Sequence, residues 1–464
     1  MRRTRIIATI GPASDSPGTL DALIAAGLDV ARLNASHLDQ PGLERTLRAV
    51  RDAEARAGVI IGVMLDLPGP KLRVGEVTPG TMLRSGAPFD ICADHCTADE
   101  LHACVTYDGL WRDVSEGDRI LIDDGRLVLG VTAVAPGRVS TTVVTGGELR
   151  SHKGLNVPGV RLSLEAVTPE DMALAEWGRL AGVDFVAQSF VRSASDIVTL
   201  RAVLGQDGPL VVAKVEKHEA VQAIDEIIEA ADAVMVARGD LGVEMPVESV
   251  PVLQRRIVEA CRRVGRPVVV ATQMLESMTN AASPTRAEAS DVATAIFEGA
   301  DAVMLSGETA VGDYPVQVVQ TMSRIAEAAE AIGASPVAAA EGRSLDVSAA
   351  VSAAVVTLAA NLDVTAIVTS TRSGATARSV AARRPDVPIV APTTEICTAR
   401  QLAIVWGVIP TVVPAVSELE ETFELGVAAA RRAGLACEGQ LLALTAGVGV
   451  GRAGATDLIR VIRA

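Results

Sequence analysis

The stretch from Ala213 to Asp240 reads AKVEKHEAVQAIDEIIEAADAVMVARGD and holds two apolar runs on either side of a helical segment. The first run carries Lys214 and Glu216, which point the same way because strand side chains alternate between faces. The second run, Ala233–Ala237, leads to a break at Gly239 and then Asp240. If consecutive parallel strands carry these residues, one ammonium group and two carboxylates converge at one end of a sheet. A divalent metal and a phosphoryl group need this combination.

Apolar, β-rich runs alternate with helical segments along most of the chain up to Leu305. Val252–Val264 is typical of the helical segments, with Gly265 as its predicted stop. Two of the units repeat the phrase ADAVM, at 231–235 and 300–304. Eight such runs predict a TIM (β/α)8 barrel, and an open doubly wound sheet stays open as the alternative. The eight runs are Ile6–Ile10, Val30–Leu33, Val59–Leu67, Phe185–Phe190, Leu210–Val215, Ala233–Ala237, Val268–Leu275 and Ala302–Leu305.

Two segments differ from this pattern and predict additional domains. The segment from Pro68 to Pro158 is rich in Thr, Val and Gly, and its Asp-Asp-Gly turn at 123–125 is typical of a hairpin. We expect residues 1–67 and 159–340 to form the barrel, 68–158 an inserted small β-barrel lid domain, and 341–464 a C-terminal α/β domain. The strands expected in that last domain are Ala366–Ser370, Ile389–Ala391, Thr411–Val413, Leu441–Thr445 and Leu458–Ile462.

Composition excludes several classes of protein. The net charge of −15 argues against general nucleic-acid binding. The apolar runs are too short to predict a membrane span. The first residues, MRRTRIIATIGPAS, are typical of a first strand rather than a signal peptide. Six cysteines in 464 residues indicate reduced thiols and a cytoplasmic protein rather than a disulfide framework.

Lysine is rare in this chain. Of 42 basic residues only four are lysine, namely Lys71, Lys153, Lys214 and Lys217. A chain that otherwise uses arginine is expected to keep lysine where a compact ammonium group matters. Chance survival is the alternative for each position, and Lys217 is interpreted as a surface charge.

Two local motifs have an ordinary interpretation beside the functional one. One group could hold zinc or could be a loop with incidental thiols, and it comprises Cys92, His95, Cys96, His102 and Cys104. The segment from Gly449 to Gly454 fits G-x-G-x-x-G, but only ten residues follow it, too few for a dinucleotide-binding unit. We expect an ordinary loop there instead.

The predicted barrel strands end in polar phrases, and these phrases closely resemble the pyruvate kinase family. They stand in the family's order over nearly the whole chain, which also includes the lid and the C-terminal domain. The phrases are TIGPAS, RLNASH, LDLPGPKLR, KGLNVPG, KVE, MVARGDLGVE, ATQMLESM, PTRAEASDVATAI and GADAVMLSGET.

The resemblance implies a phosphoryl transfer from phosphoenolpyruvate to ADP, assisted by Mg²⁺ or Mn²⁺. Glu216 and Asp240 match the metal ligands, and Lys214 matches the lysine that stabilises the transferring phosphoryl group. Gly239, Asp240 and Thr272 match the site for the substrate carboxylate. Thr272 also lies where the family protonates the enolate, with Ser306 and Glu308 nearby, and the sequence leaves open which group delivers the proton. Arg32 and Arg73 match the family's arginines around the phosphates. Further contacts to the nucleotide or the lid are matched by Pro12, His37 and Lys153.

One departure from the family concerns a monovalent cation. In the family, several residues surround a bound K⁺, and their matches in this chain are Asn34, Ser36, Asp66 and the Leu67 carbonyl. Many members also carry a glutamate there, but this chain has Lys71 in its place. An ammonium group there supplies the missing charge, as in the potassium-independent members, so we expect activity without K⁺. The alternative is that K⁺ still binds and Lys71 points to solvent.

The resemblance also implies a phosphorylated allosteric effector and a homotetramer. The effector's phosphate is expected on the segment Ser370–Arg378, at Thr371, Arg372, Ser373, Gly374 and Thr376. The sequence does not identify the effector or the preferred nucleotide. Two other functions stay open: a metal-dependent barrel lyase or aldolase acting on a pyruvate enolate, and a catalytically silent sensor of phosphometabolites.

Overall fold

A closed barrel of eight parallel strands forms the centre of the molecule. The computed structural model describes residues 1–93, 96–332, 346–447 and 456–464. Ser16 caps the first helix by accepting the Thr19 N–H, and Gly27 ends it at φ 110°. The chain begins with β1 (Arg5–Thr9), α1 (Pro17–Ala26), β2 (Val30–Asn34), α2 (Gln40–Ala57) and β3 (Gly62–Asp66).

The chain then leaves the barrel and forms the inserted sheet structure. Its elements are β4 (Met82–Leu83), β5 (Pro88–Cys92), β6 (His102–Cys104), α3 (Leu110–Asp113), β7 (Arg119–Ile122), β8 (Leu127–Ala135), β9 (Arg138–Thr145), β10 (Gly147–Glu148) and β11 (Leu155–Asn156). Six strands pair in the order β11-β7-β8-β9-β5-β6, while β4 pairs with β10. Asp123 and Asp124 adopt φ 54° and 55° between antiparallel β7 and β8, which confirms the predicted hairpin.

The second part of the barrel alternates strands and helices as predicted. It contains α4 (Pro169–Ala181), β12 (Phe185–Gln188), α5 (Ala194–Leu204), β13 (Leu210–Val215), α6 (His218–Gln222), α7 (Ile224–Ala230), β14 (Ala233–Ala237), α8 (Arg238–Glu244), α9 (Val250–Val264), β15 (Val268–Ala271), α10 (Arg286–Glu298), β16 (Ala302–Leu305), α11 (Gly307–Ala310) and α12 (Pro315–Glu330). The strands close in the order β1-β16-β15-β14-β13-β12-β3-β2. This closure confirms the TIM barrel and excludes the open sheet.

The C-terminal part is a five-stranded sheet with helices. Its elements are α13 (Val347–Asn361), β17 (Ala366–Thr369), α14 (Ala375–Ala381), β18 (Ile389–Thr393), α15 (Ile396–Gln401), β19 (Val408–Val412), α16 (Leu419–Arg432), β20 (Leu441–Ala446) and β21 (Leu458–Arg463). The strand order is β19-β18-β17-β20-β21, and β21 runs antiparallel to β20. All five strands predicted from the sequence are present.

This C-terminal unit packs across the N-terminal ends of the barrel strands. Buried residues from both units form one apolar cluster that includes Ile7 and Met64 of the barrel and Ile404 of the C-terminal unit. Arginines cross the same boundary: Arg5 donates to the Val405 carbonyl at 3.1 Å, and Arg384 donates to Asp301 at 3.0 Å. The opposite end of the barrel, where the strands end in polar residues, stays available for a site.

The cysteine prediction is wrong for one pair. Cys96 and Cys104 form a disulfide with their Cα atoms 5.7 Å apart, so these two thiols are not reduced. The bond removes two of the proposed zinc ligands, and no group of three or more His, Cys, Asp or Glu able to hold a metal occurs among the described residues. His95 lies outside those residues.

Other predictions also fall outside the described part of the chain. The loop at 449–454 and the domain boundary at 340/341 lie there. The boundaries at 67/68 and 158/159 stay predictions. Among the described residues, no helix combines the length and apolar character needed to cross a membrane.

Glu54 on α2 links the barrel to the C-terminal unit and generates a stability prediction. Its buried carboxylate accepts the Ile61 N–H at 3.0 Å and the Arg400 guanidinium at 2.6 Å. Glu54→Ala leaves Arg400 and the Ile61 N–H without their acceptor, so we expect the free energy of unfolding to fall by about 3 kcal/mol. Chemical denaturation followed by circular dichroism measures this change.

Asp21→Ala is the matched control. It breaks an exposed ion pair with Arg56, which lies on α2 as Glu54 does. Such exposed pairs contribute little to stability, and the midpoint should stay nearly unchanged. Equal losses in the two variants would contradict the role given to Glu54.

Candidate active site

A buried ammonium group lies at the C-terminal mouth of the barrel. Lys214 on β13 pairs with Glu216 at 2.9 Å and with Asp66 of β3 at 3.1 Å, and it donates to Ser189 Oγ at 2.7 Å. Burial alone would lower the pKa of Lys214, but the two carboxylates outweigh it and raise that pKa above its usual value. The group therefore stays a cation, and the prediction that Lys214 and Glu216 point the same way is confirmed.

The two carboxylates proposed as metal ligands influence each other. Burial raises the pKa of Glu216, Asp240 raises it further, and Lys214 acts in the opposite direction. Asp240 lies in the first turn of α8 and lines the cleft between the inserted structure and the barrel. A buried carboxylate whose charge is disfavoured by a second carboxylate suits a divalent cation, whose remaining ligands would come from substrate and water.

Cationic side chains form one wall of the cleft. Arg32 donates to Asp66 at 2.7 Å and to Thr9 Oγ1 at 2.8 Å, which fixes its guanidinium at the mouth. Partial burial lowers the pKa of His37, and Lys71, Arg32 and Arg73 lower it further. His37 is therefore neutral in a field that attracts anions. The predicted phosphate residues Arg32 and Arg73 therefore both lie close enough to influence His37, which was predicted as a nucleotide or lid contact.

The other two predicted nucleotide contacts are Lys153 and Pro12. Lys153 lies on the inserted structure, where its ammonium group pairs with Asp123 at 2.9 Å. Pro12 is exposed in the loop after β1.

Thr272 occupies a strained turn directly after β15. Its φ is 67° and that of Gln273 is 53°, in a region that β-branched residues rarely adopt. The Thr272 hydroxyl donates to the Ala271 carbonyl at 2.6 Å and accepts the Gly239 N–H at 2.7 Å. The Gly239 amide, proposed to bind the substrate carboxylate, is therefore engaged by Thr272 in this structure.

Arg238 supports this turn, and sequence reasoning missed it. Its guanidinium donates to the Thr272 carbonyl at 2.8 Å and to the Gln273 carbonyl at 3.1 Å, and it pairs with Asp291 at 2.7 Å. The ARGD phrase places an arginine beside the metal ligand, but nothing in it shows that the side chain turns away from the cleft.

Glu308 and Ser306 take different places in the predicted proton network. Glu308 is fully buried, and its two oxygens accept the backbone N–H groups of Ser306 at 2.7 Å and Leu275 at 3.2 Å. This carboxylate therefore joins the end of β16 to the loop that follows β15. Ser306 Oγ is buried and has no hydrogen-bond partner among the described residues, so it is available to a water molecule or a substrate.

The structure separates the residues of the predicted effector segment. Thr371 and Arg372 line a cavity at the C-terminal ends of β17, β18 and β20. The Thr371 hydroxyl accepts the Gly374 N–H at 3.0 Å, and Ser373 is exposed. Thr376 is buried and bonds to the Thr456 hydroxyl at 2.5 Å instead.

Lys217 is a second residue that the sequence interpretation misplaced. It forms an ion pair with Glu244, and only 12% of its side chain is exposed, so the description as a surface charge is wrong. Lysine is rare in this chain, with only four in all, and this rarity was the signal that could have pointed to Lys217.

Barrel and site together define an enzyme of the phosphotransferase class, because a buried ammonium group, a carboxylate pair and a cationic wall meet at the mouth of a (β/α)8 barrel. Comparison with known proteins narrows the class. A family model described as "Pyruvate kinase, barrel domain" matches residues 1–319, and one described as "Pyruvate kinase, alpha/beta domain" matches residues 349–462.

Individual relatives agree with the family models. The chain is 45% identical over 476 residues to a pyruvate kinase of Geobacillus stearothermophilus, covering 99% of this chain and 80% of the relative. It is 39% identical over 469 residues to one of Clostridium acetobutylicum, covering 99% of both. It is 42% identical over 464 residues to one of Methylorubrum extorquens, covering 99% of this chain and 97% of the relative. The chain belongs to the pyruvate kinase family.

The contacts of Arg238 predict a kinetic defect. Arg238→Met removes the three hydrogen bonds to the carbonyls of the strained turn, so we expect Thr272 to lose its position and kcat for pyruvate formation to fall about tenfold to a hundredfold. The KM for phosphoenolpyruvate should change less. Steady-state kinetics measures both constants.

Two further variants test whether the turn is the cause. Asp291→Asn keeps the carbonyl contacts of Arg238 and should be milder, while Arg179→Met, which breaks an exposed pair with Glu176, should behave as the unmodified enzyme. If Arg238→Met is as active as Arg179→Met, Arg238 does not position Thr272.

Proposed function

We propose that this chain transfers the phosphoryl group of phosphoenolpyruvate to ADP, which gives ATP and an enolate that is protonated to pyruvate. The observation that carries the proposal is the buried Lys214 between Asp66 and Glu216, at the barrel mouth and beside a cationic wall. Phosphoryl transfer requires mainly positioning and charge stabilisation, and these groups supply both.

Lys214 and the anion-binding residues have separate roles in the proposal. Lys214 neutralises the transferring group, because its pKa is raised and it keeps its charge throughout the accessible pH range. Arg32 and Arg73 hold the phosphates of donor and acceptor, with His37, Pro12 and Lys153 on the nucleotide side. Arg32 suits its role because Asp66 and Thr9 already fix its guanidinium.

Glu216 and Asp240 are the residues that would hold Mg²⁺ or Mn²⁺. Their mutual repulsion and the oxygen donors suit a hard divalent cation. When bound, the cation supplies charge neutralisation for the transferring phosphoryl group.

The enolate is protonated on the side of the cleft that Thr272 forms. Its hydroxyl lies at a strained turn and is in contact with the Gly239 amide at the start of α8. We assign Gly239, Asp240 and Thr272 to the substrate carboxylate, since backbone N–H groups at a helix start favour an anion. Ser306 is assigned to the proton-delivering water, and Glu308 positions the two strand ends.

A coupled assay of pyruvate formation tests the function. We expect pyruvate only when ADP and Mg²⁺ or Mn²⁺ are present, full loss with a chelator, and recovery on adding the metal back. Lys214→Met should lower kcat by about 10³-fold, because the ammonium group acts mainly on the transition state. Glu216→Gln should raise the metal concentration needed for half-maximal activity.

The same assay separates the alternatives. Pyruvate released without ADP would indicate a lyase or hydrolase, and no turnover under any condition would indicate a sensor. Arg179→Met is again the control, since its exposed ion pair lies on α4. Either alternative outcome would refute the proposed transfer to ADP.

We further propose that Lys71 replaces K⁺. Its ammonium group lies 3.4 Å from Ser36 Oγ, and Asn34 Oδ1 accepts the Ser36 N–H at 3.1 Å. The Leu67 carbonyl accepts the Ser189 hydroxyl at 2.7 Å. Lys71 thus reaches the residues proposed to surround the ion, although part of its side chain faces solvent. The carboxylates of Asp66, Glu216 and Asp240 attract its charge.

Replacing Lys71 predicts a change in ion dependence. The unmodified enzyme should be as active in Na⁺ as in K⁺ at equal ionic strength. Lys71→Glu should lower activity in Na⁺ at least tenfold, with recovery in K⁺, because an ion must then supply the charge. Lys71→Met is the control for loss of the side chain without a new carboxylate. A strong K⁺ requirement of the unmodified enzyme would refute the proposal.

The pH dependence gives an independent check. Lys71 is exposed to solvent in part, but the desolvation of its ammonium group and then the repulsion by Lys214 lower its pKa below the usual value. The ammonium group therefore loses its proton at a lower pH than an ordinary lysine, and K⁺ activation should appear as the pH rises into the alkaline range. Lys71→Arg stays charged and should show no such onset.

We propose regulation and assembly from the chain's membership of the family. A phosphorylated effector would bind at Thr371 and Arg372, beside Ser373 and Gly374, since the first two line a cavity. Thr376 contributes only if its bond to Thr456 breaks. We also propose a cytoplasmic homotetramer whose inserted domain comprises residues 68–158, whose barrel comprises 1–67 and 159–340, and whose C-terminal domain comprises 341–464.

A further inference from the structure

Lys217 occupies a position in the cleft that the proposed chemistry does not use. It follows the metal-ligand candidate Glu216 and begins the turn into α6. Its ammonium group pairs with Glu244 and lies 5.9 Å from the centre of the Phe190 ring. Together with Phe190 and Asp240 it lines the cleft between barrel and inserted domain.

Glu244 connects this lysine to the inserted domain. It ends α8, the helix whose first turn carries Asp240, and only 1% of its side chain is exposed. Its Oε1 accepts from Lys217 and also from Asn156 Nδ2 at 3.4 Å, on strand β11 of the inserted domain. Its Oε2 is buried without a hydrogen-bond partner among the described residues. The carboxylate therefore relies on Lys217 for compensation of its charge.

Two segments that carry the proposed metal ligands and one strand of the inserted domain thus meet at one buried carboxylate. Lys217 is adjacent to Glu216, Glu244 shares a helix with Asp240, and Asn156 lies three residues after Lys153 on the inserted domain. We propose that Lys217 is a positioning residue that holds Glu244 in place as an acceptor for Asn156 and so keeps the inserted domain over the cleft. The inference rests on the proposed phosphoryl transfer, for which the cleft must exclude water.

The physical consequence follows from the burial of Glu244. Without Lys217 the carboxylate is uncompensated, and it lowers its energy by turning towards solvent and leaving Asn156. The inserted domain then opens more often, and substrates bind to a smaller population of closed enzyme. Both KM values rise, while kcat changes less because saturating substrates close the domain again.

The experiment removes the charge of Lys217 and then the charge that it compensates. We expect Lys217→Met to raise KM for phosphoenolpyruvate and for ADP about tenfold, a coupling of ordinary size. Glu244→Gln in the same chain should restore both constants, because a neutral amide oxygen still accepts from Asn156 and needs no counter-charge. Asn156→Asp places a second carboxylate beside Glu244 and should act as Lys217→Met does, with rescue by Glu244→Gln.

Hydrogen exchange of the substrate-free enzyme gives a readout without turnover. The backbone amides at the two junctions of the inserted domain should exchange faster in Lys217→Met and Asn156→Asp and return to the original rate in the rescued variants. They are those of Leu67, Gly69, Lys71, Val157, Gly159 and Val160. Arg255→Met combined with Glu259→Gln neutralises an exposed pair on α9 and is the control. The thermal midpoints of all variants are compared, so that unfolding is separated from opening.

The outcomes separate the proposal from its rivals. A defect in Lys217→Met that Glu244→Gln rescues, together with reversible acceleration of exchange, supports it. A defect without rescue shows that Lys217 contacts a substrate directly, and the absence of any defect shows an ordinary buried pair; both overturn the proposal. If the unmodified enzyme forms no pyruvate, the proposed function fails, while exchange still decides whether Lys217 controls opening.

Discussion

The ion cluster around Lys214 imposes the constraint on which the barrel mouth depends. Removing an ammonium group and two carboxylates from water costs several kcal/mol per ion, so each ion needs close partners. Lys214 itself lies on β13, and its partners are Glu216 just beyond β13, Ser189 just beyond β12 and Asp66 at the end of β3. The partners meet only when these strands keep their parallel register. The site therefore depends on barrel closure, and an open sheet would leave the charges unpaired.

The polar contacts continue from this cluster around the mouth. Asp66 accepts from Arg32 on β2, Arg32 donates to Thr9 on β1, and Thr9 donates to the Leu305 carbonyl on β16. The remaining strands, β14 and β15, are joined differently, through the strained turn at Thr272 and its bond to Gly239. The rigid side carries the residues proposed for the phosphates and the metal. The strained side carries the group nearest the proposed protonation, where backbone strain often accompanies function.

The strands were predictable from the sequence because strands buried on both faces are continuous apolar runs. Leu210–Val215, Ala233–Ala237 and Ala302–Leu305 have their predicted bounds. Val268–Leu275 was predicted too long, since Met274 and Leu275 are buried in a loop after β15 ends at Ala271. The expected helix after Lys217 divides at Ala223 into α6 and α7.

The site was predictable only as far as residue type and strand position determine it. The convergence of Lys214 with Glu216 follows from the alternation of strand side chains, but the directions of side chains in loops do not follow from any period. For that reason the contacts of Arg238 and Lys217 were missed. Arginine and lysine make different contacts in this chain. Arg5, Arg238 and Arg384 donate from their planar guanidinium groups to backbone carbonyls. The lysines at 71, 214 and 217 instead place compact charges in or beside the cleft, where a single rotatable ammonium group can face a carboxylate and a substrate oxygen at once.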